Sequence, residues 1–154
     1  MEKQTKGQII LTVGLPGSGK STYFHNRKIQ PLSSDTLRLW LFDDETDQQS
    51  PRAVFAAMRM LLRTRLQLGR SINYVDATHL TPRERKPYLK MASRFGYDIY
   101  AVYFDTPLET CLRRNFQRNR TLPMEVMERF SRKLVRPTIA EGFQKVSVIR
   151  VARQ

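Results

Sequence analysis

Residues 14–21 read Gly-Leu-Pro-Gly-Ser-Gly-Lys-Ser, the pattern G-x-x-x-x-G-K-[ST] with every fixed position filled. These residue types suit the holding of a polyphosphate. Gly14, Gly17 and Gly19 let the backbone turn sharply and bring N–H groups close to phosphate oxygens. A helix that starts at the loop adds the positive end of its dipole. Lys20 can reach the β- and γ-phosphates of ATP, and the Ser21 hydroxyl can bind Mg²⁺. Ser18 and Thr22 complete the expected run of nucleotide contacts. Three further groups carry chemistry. In Ser34-Asp35-Thr36-Leu37-Arg38, the Asp35 carboxylate can accept the proton of an attacking hydroxyl, or it can cap a helix. Arg38, one helical turn later, could hold a phosphate of the acceptor. Asp76 can bind Mg²⁺ beside Ser21, or cap a turn; Thr78 and His79 are expected as acceptor contacts. Arg114 and Arg118 are spaced i, i+4 and are expected to share a helix face. They could clamp a transferring phosphoryl group from above, or form a solvated basic face.

Such groups act together only if the chain brings them to one edge. The apolar run Ile9–Val13 predicts a strand over 8–13, with the loop next and a helix over 20–27. An extended piece over 29–33 contains Pro31, which argues against a central strand. A short helix over 35–40 follows, then an acidic loop over 43–47. Pro51 opens a long helix to Leu68 with Gly69 as its stop, and Phe55, Met58, Leu62 and Leu66 mark its buried face. A strand over 71–76 precedes a helix with Thr81 as cap and Glu84 completing a capping box, kinked or restarted at Pro87 and ending at Gly96. A strand over 97–104, helices over 107–119 and 123–134, and a strand over 146–151 complete the chain. The alternation predicts an α/β fold of the P-loop NTPase kind: a central parallel sheet of about five strands, helices on both faces, and a helical lid over about 112–135. Ligands then bind at the carboxyl ends of the strands. That edge gathers the loop, Asp35, and Asp76 to His79.

With 154 residues, one domain over 1–154 is the simplest count. Cys111 is the only cysteine, so no internal disulfide framework is available. No apolar run is long enough to span a membrane, and no cleavage site for a leader follows the first apolar segment. These features suit a reducing cytoplasm, where ATP is available. The net charge of +13 exceeds what a small neutral acceptor needs and predicts a polyanionic partner such as nucleic acid. The basic residues are grouped: five arginines lie in 52–70 with no acidic residue.

The loop, the Ser-Asp-x-x-Arg segment, the Asp-x-Thr-x-x-x-Pro-x-x-Arg segment (Asp76, Thr78, Pro82, Arg85) and the Arg-Asn-x-x-Arg lid resemble, in the same order, the phage-type polynucleotide 5′-kinases. These are the kinase half of end-healing kinase–phosphatase enzymes. The resemblance implies Lys20 and Ser21 on the ATP phosphates and Mg²⁺, Asp35 as general base, and Arg38 on the 3′ phosphate of the acceptor's terminal nucleotide. It implies Arg118, supported by Arg114, as the lid arginine. The chain departs from the family at Ser34, where another polar or acidic residue often stands, and it carries no phosphatase region. A separate phosphatase or ligase would then act in the same pathway. The expected reaction is ATP-dependent phosphorylation of 5′-hydroxyl ends of DNA or RNA. Two other readings use the same loop: a kinase for a smaller acceptor or an aminoacylated tRNA, and an ATP-dependent switch with no acceptor.

Overall fold

A computed structural model describes residues 4–118 and 121–150. Five strands form one parallel sheet: β1 (Gln8–Val13), β2 (Leu32–Ser33), β3 (Ile72–Asp76), β4 (Asp98–Asp105) and β5 (Lys145–Arg150). Their order is β2-β3-β1-β4-β5, with every neighbouring pair parallel. The three best-covered strands sit inside, and their near-continuous apolar sequence follows from burial on both faces. The edge strand β2 is two residues long, and Pro31 precedes it, which has no N–H to offer a ladder.

Alternation along the strands divides the core. Ile9, Leu11, Val75, Ile99 and Ala101 face the helices α2 (Ser34–Phe42), α3 (Pro51–Gln67) and α4 (Pro82–Phe95). In α3 the buried face is Val54, Met58, Leu62 and Leu66, an i, i+4 stripe. The expected Phe55 is only half-buried, because the stripe passes through its neighbour Val54. Each such side chain adds about 1.5–3 kcal/mol of burial. On the other face, Ile10, Val102 and Phe104 pack against Tyr23 of α1 (Lys20–Asn26), whose ring meets Phe104 edge to face. A third cluster lies beside the loop: Leu15, Leu80, Cys111 and Met127, which join α5 (Leu108–Phe116) and α6 (Met124–Lys133) to the core.

The expected boundaries hold within a few residues, with instructive exceptions. The helix α4 runs unbroken through Pro87; Arg83, whose carbonyl loses its helical partner there, is an exposed residue. Its Thr81–Glu84 capping box is present as expected. The helix α5 stops at Phe116 rather than at Asn119, which lies outside the described residues, as does Val151. A one-turn 3₁₀ helix at Ile139–Glu141 was not expected, although Thr138 and Glu141 carry the capping-box spacing that announces it.

Candidate active site

The loop between β1 and α1 is held from behind. The Gly14 N–H donates to the Thr78 carbonyl at 3.0 Å, which ties the loop to the segment after β3. The Thr106 hydroxyl donates to Ser18 O at 2.8 Å, and Arg114 Nη1 donates to Gly17 O at 3.0 Å. Gly17 has φ 82°, and a Cβ there would lie 2.9 Å from the Cys111 carbonyl oxygen, so both its conformation and its contact demand glycine. With two carbonyls bonded to α5 and the preceding turn, the loop presents the N–H groups of the first turn of α1, which have no intrahelical partner. Lys20 Nζ folds back and donates to Gly14 O and Leu15 O at 2.7 and 2.8 Å. Burial pulls the Lys20 ammonium below the ordinary lysine value, while Asp76 and Asp35 pull it back.

Asp35 lies in the first turn of α2, yet it does not cap the helix. The cap is Ser33, which has extended backbone and whose hydroxyl accepts from Thr36 N at 3.4 Å. Asp35 is therefore exposed into the cleft, its side chain 60% accessible, with Arg38 Nη1 at 3.3 Å from Oδ1. Arg38 is the reverse: 8% exposed, with its buried Nε lacking a protein partner among the described residues. Burial lowers the Arg38 value and the Asp35 carboxylate opposes this. Asp76, at the end of β3, accepts from the Thr12 hydroxyl at 3.0 Å. Burial raises its carboxyl above the usual range, against the pull of Lys20. It is not a cap for α4, whose cap is Thr81.

These groups meet in two clefts that share the loop. One is lined by Lys20, Ser21, Asp35, Arg38, Asp76, Thr78 and Arg118. The other, on the α1 side, is lined by Gly17, Ser18, Gly19, Ser21, Thr22, Arg114 and Arg118, with Tyr23, Phe104 and Ile149 supplying apolar walls. Among the described residues, only Gly17, Ser21 and Arg118 border both. Arg118 does so from a position beyond the end of α5, not from a shared helix face with Arg114: Gln117 is the C-cap, and the Arg118 N–H donates to Asn115 O at 3.2 Å.

Two expected residues stand behind the clefts. Gly14 is buried and offers its carbonyl to Lys20. His79, expected as an acceptor contact, is a correction: it is 2% exposed and lines neither cleft. Its φ is 43°, and Nδ1 lies 2.6 Å from the Thr12 carbonyl oxygen, so Nδ1 carries the hydrogen. Burial first, then Lys20 and Arg85, lower its value to about 4 against the Thr12 hydrogen bond, so the ring is neutral at pH 7. Arg85 is likewise internal. It bridges the His79 carbonyl (2.8 Å), the Val135 carbonyl (3.0 Å) and both oxygens of Glu141 (2.8 and 3.0 Å), joining the segment after β3 to the segment that follows α6.

Sequence reading missed part of the cleft that holds Asp35 and Arg38. Glu45, Thr46 and Gln48, from the loop expected only to connect α2 and α3, form one wall. Asn115, Leu122 and Phe130 form another. Asn115 alone carried a signal, as the polar residue between Arg114 and Arg118 in the lid pattern. Among the described residues no three His, Cys, Asp or Glu cluster as a metal cage. The donors beside Lys20 are one hydroxyl, Ser21, and one carboxylate, Asp76. That sparse oxygen set fits Mg²⁺, which is usually held by one or two protein oxygens plus substrate phosphates. Among the described residues no helix is long and apolar enough to cross a membrane.

Comparison with known proteins agrees with this geometry. The chain is 33% identical over 86 residues to human L-seryl-tRNA(Sec) kinase, covering 55% of this chain and 25% of that protein. It is 26% identical over 133 residues to a protein of Autographa californica nuclear polyhedrosis virus described as a bifunctional polynucleotide kinase/RNA ligase, covering 76% and 19%. The chain thus spans a quarter or less of the length of these relatives. Among solved structures, a chain of the Pnkp1/Rnl/Hen1 RNA repair complex superposes with a TM-score of 0.69 at 20% identity, covering 85% of this chain and 45% of that one. The sheet order and the loop are those of a P-loop kinase fold, and the chain belongs to the AAA domain family, whose model matches residues 9–137.

Proposed function

We propose that the chain transfers the γ-phosphate of ATP to the 5′-hydroxyl end of DNA or RNA. The observation that carries this reading is the pair at the acceptor cleft: an exposed carboxylate, Asp35, beside a nine-tenths-buried cation, Arg38, whose Nε has no protein partner among the described residues. A cation held there suits a fixed phosphate of the acceptor, one step from the hydroxyl that Asp35 would deprotonate. The net charge of +13 supports a polyanionic acceptor. The viral kinase/ligase and the RNA repair complex support the same reading by analogy.

In this reading the phosphates lie along the loop with the nucleoside in the α1-side cleft. Lys20 exchanges its two loop carbonyls for phosphate oxygens, and Arg118, bordering both clefts, spans the transferring group. Asp35 holds the acceptor hydroxyl and takes its proton. Ser21 and Asp76 would hold Mg²⁺, which neutralises developing phosphate charge. Cys111, buried and reduced, suits a cytoplasmic site of action.

The test is transfer of labelled γ-phosphate to a 3′-mononucleotide and to the same nucleoside without its phosphate. The 3′-mononucleotide is expected to be roughly ten- to a hundred-fold better, the scale of a charge-assisted contact of about 1.5–3 kcal/mol. Arg38→Ala should remove that difference, and Asp35→Asn should lower turnover on the order of 10²-fold. Equal use of both acceptors refutes the polynucleotide reading. One observation favours a second acceptor class: Glu45 on the cleft wall supplies a carboxylate of the charge that would pair with the ammonium group of an aminoacylated tRNA. Preferred transfer to seryl-tRNA in the same panel would select it.

A further inference from the structure

We propose that Asn115 is a positioning residue that sets the reach of Arg118 by clasping the loop on which Arg118 rides. Asn115 is the last buried residue of α5, 3% exposed, one turn after the buried Cys111. Its side-chain amide mimics one rung of a β-ladder. Nδ2 donates to Leu122 O at 2.7 Å, and Oδ1 accepts from Leu122 N at 3.0 Å. This amide orientation is the only one that satisfies both backbone groups. Its own carbonyl accepts from Arg118 N at 3.2 Å. One residue therefore holds both ends of the Arg118 loop. Leu122, the clasped end, packs on the cluster of Leu15, Leu80, Cys111 and Met127 that underlies the phosphate loop. The clasp thus fastens the Arg118 loop to the same packed cluster, whose Cys111 backs Gly17.

A side chain beyond a helix end has no i, i+4 neighbours to fix it, so its reach depends on how the following loop is closed. Misplacing a charge-stabilising group by about 1 Å can cost on the order of 10²-fold in rate. Asn115 and Arg118 should therefore act as one unit, and their losses should not add.

This inference rests on the reading that Arg118 acts on the transferring phosphoryl group. The test is a double-mutant cycle in the whole chain: wild type, Asn115→Ala, Arg118→Ala and both, with kcat and both KM values for γ-phosphate transfer and a thermal melt of each. Asn115→Ala is expected to lower kcat roughly 10- to 100-fold, with both KM values within about two-fold. In the Arg118→Ala background it should lower kcat no further. Asn115→Asp keeps the acceptor for Leu122 N but sets an oxygen against Leu122 O; it should fall between wild type and Asn115→Ala, and it carries the cycle if the alanine variant does not fold. Additive losses, or a loss confined to acceptor KM, overturn the proposal and make Asn115 a structural or acceptor-contacting residue. Undiminished kcat in Arg118→Ala alone instead overturns the role of Arg118 itself, and the two failures are thereby told apart.

Discussion

Acidification should destabilise this protein through one histidine, and the size of the effect follows from where the ring sits. His79 is 2% exposed and its value is lowered from 6.5 to about 4. The unfolded chain therefore binds the proton more tightly than the fold does. The stabilisation is complete above about pH 6.5 and is lost as pH falls from there toward the folded value near 4. With those two values, linkage gives a loss of about 2 kcal/mol between pH 8 and pH 5, and about 3 kcal/mol once both states are protonated. For a domain of this size, 2 kcal/mol is roughly 4–8 °C in Tm. The control is His79→Asn. Asparagine tolerates the left-handed backbone at φ 43° and can donate to the Thr12 carbonyl as Nδ1 does, but it does not titrate. Carboxylates such as Asp76 titrate in both proteins and cancel in the comparison. His25, the other histidine, is exposed. Urea denaturation of both proteins at pH 8, 6.5 and 5 should show the wild type losing about 2 kcal/mol more than His79→Asn by pH 5. Parallel losses would mean that the imidazole is solvated in the fold, and the assignment of His79 as a neutral strut would fail.

Two more outcomes follow from the same electrostatics. Lys20→Ala should abolish γ-phosphate transfer while circular dichroism and Tm change little, because the fold gives up a cation whose burial already disfavours its charge; transfer near wild-type rates would refute the phosphate role of the loop. Glu141→Gln should leave Arg85, 0% exposed, without its counter-charge, at a cost of about 3–5 kcal/mol and a drop in Tm of roughly 6–20 °C by calorimetry. The Glu141 carboxyl, disfavoured by burial but held low by Arg85, adds stability above its ordinary value of 4.5 that fades as pH falls through the folded value, so the wild type should approach the variant in acid. An unaltered Tm for Glu141→Gln would show that the bridge does not bind the segment after α6 to the core.

The parts of the site that sequence exposes are those fixed by the sheet. Strand and helix alternate, and a parallel sheet puts its ligands at the carboxyl ends, so Lys20, Asp35, Asp76 and Thr78 fall on one edge without any knowledge of side-chain contacts. What sequence hides is settled by tertiary contact. Ser33 and Asp35 are both good capping types two residues apart, and the choice between them depends on where β2 stops pairing with β3 at Asp76. The i, i+4 spacing of Arg114 and Arg118 suggests one face, but α5 ends at Phe116, where the Asn115 amide binds the Leu122 backbone instead of facing solvent. His79 looks like a cleft residue by type, and the Thr12 carbonyl turns it inward. The wall of Glu45, Thr46 and Gln48 has no periodicity to read. Its shape comes from Asp44 accepting from both the N–H and the hydroxyl of Thr46, a local turn that composition alone does not aim at the cleft.

Within the site, Lys20 is drawn by Asp76, and Arg38 is paired with Asp35. In the proposed reaction each pair must change partners. Arg38 Nη1 stands 3.3 Å from Asp35 Oδ1, where an acceptor hydroxyl would have to donate. An acceptor phosphate that draws Arg38 away would free that oxygen for the hydroxyl. On this argument the acceptor's 3′ phosphate does more than add affinity. It should raise kcat as well as lower acceptor KM in the comparison of a 3′-mononucleotide with its nucleoside. In Arg38→Ala the kcat difference between the two acceptors should vanish along with the KM difference. If the phosphate moves KM alone, Arg38 is a binding residue only and the exchange of partners at Asp35 does not contribute to turnover.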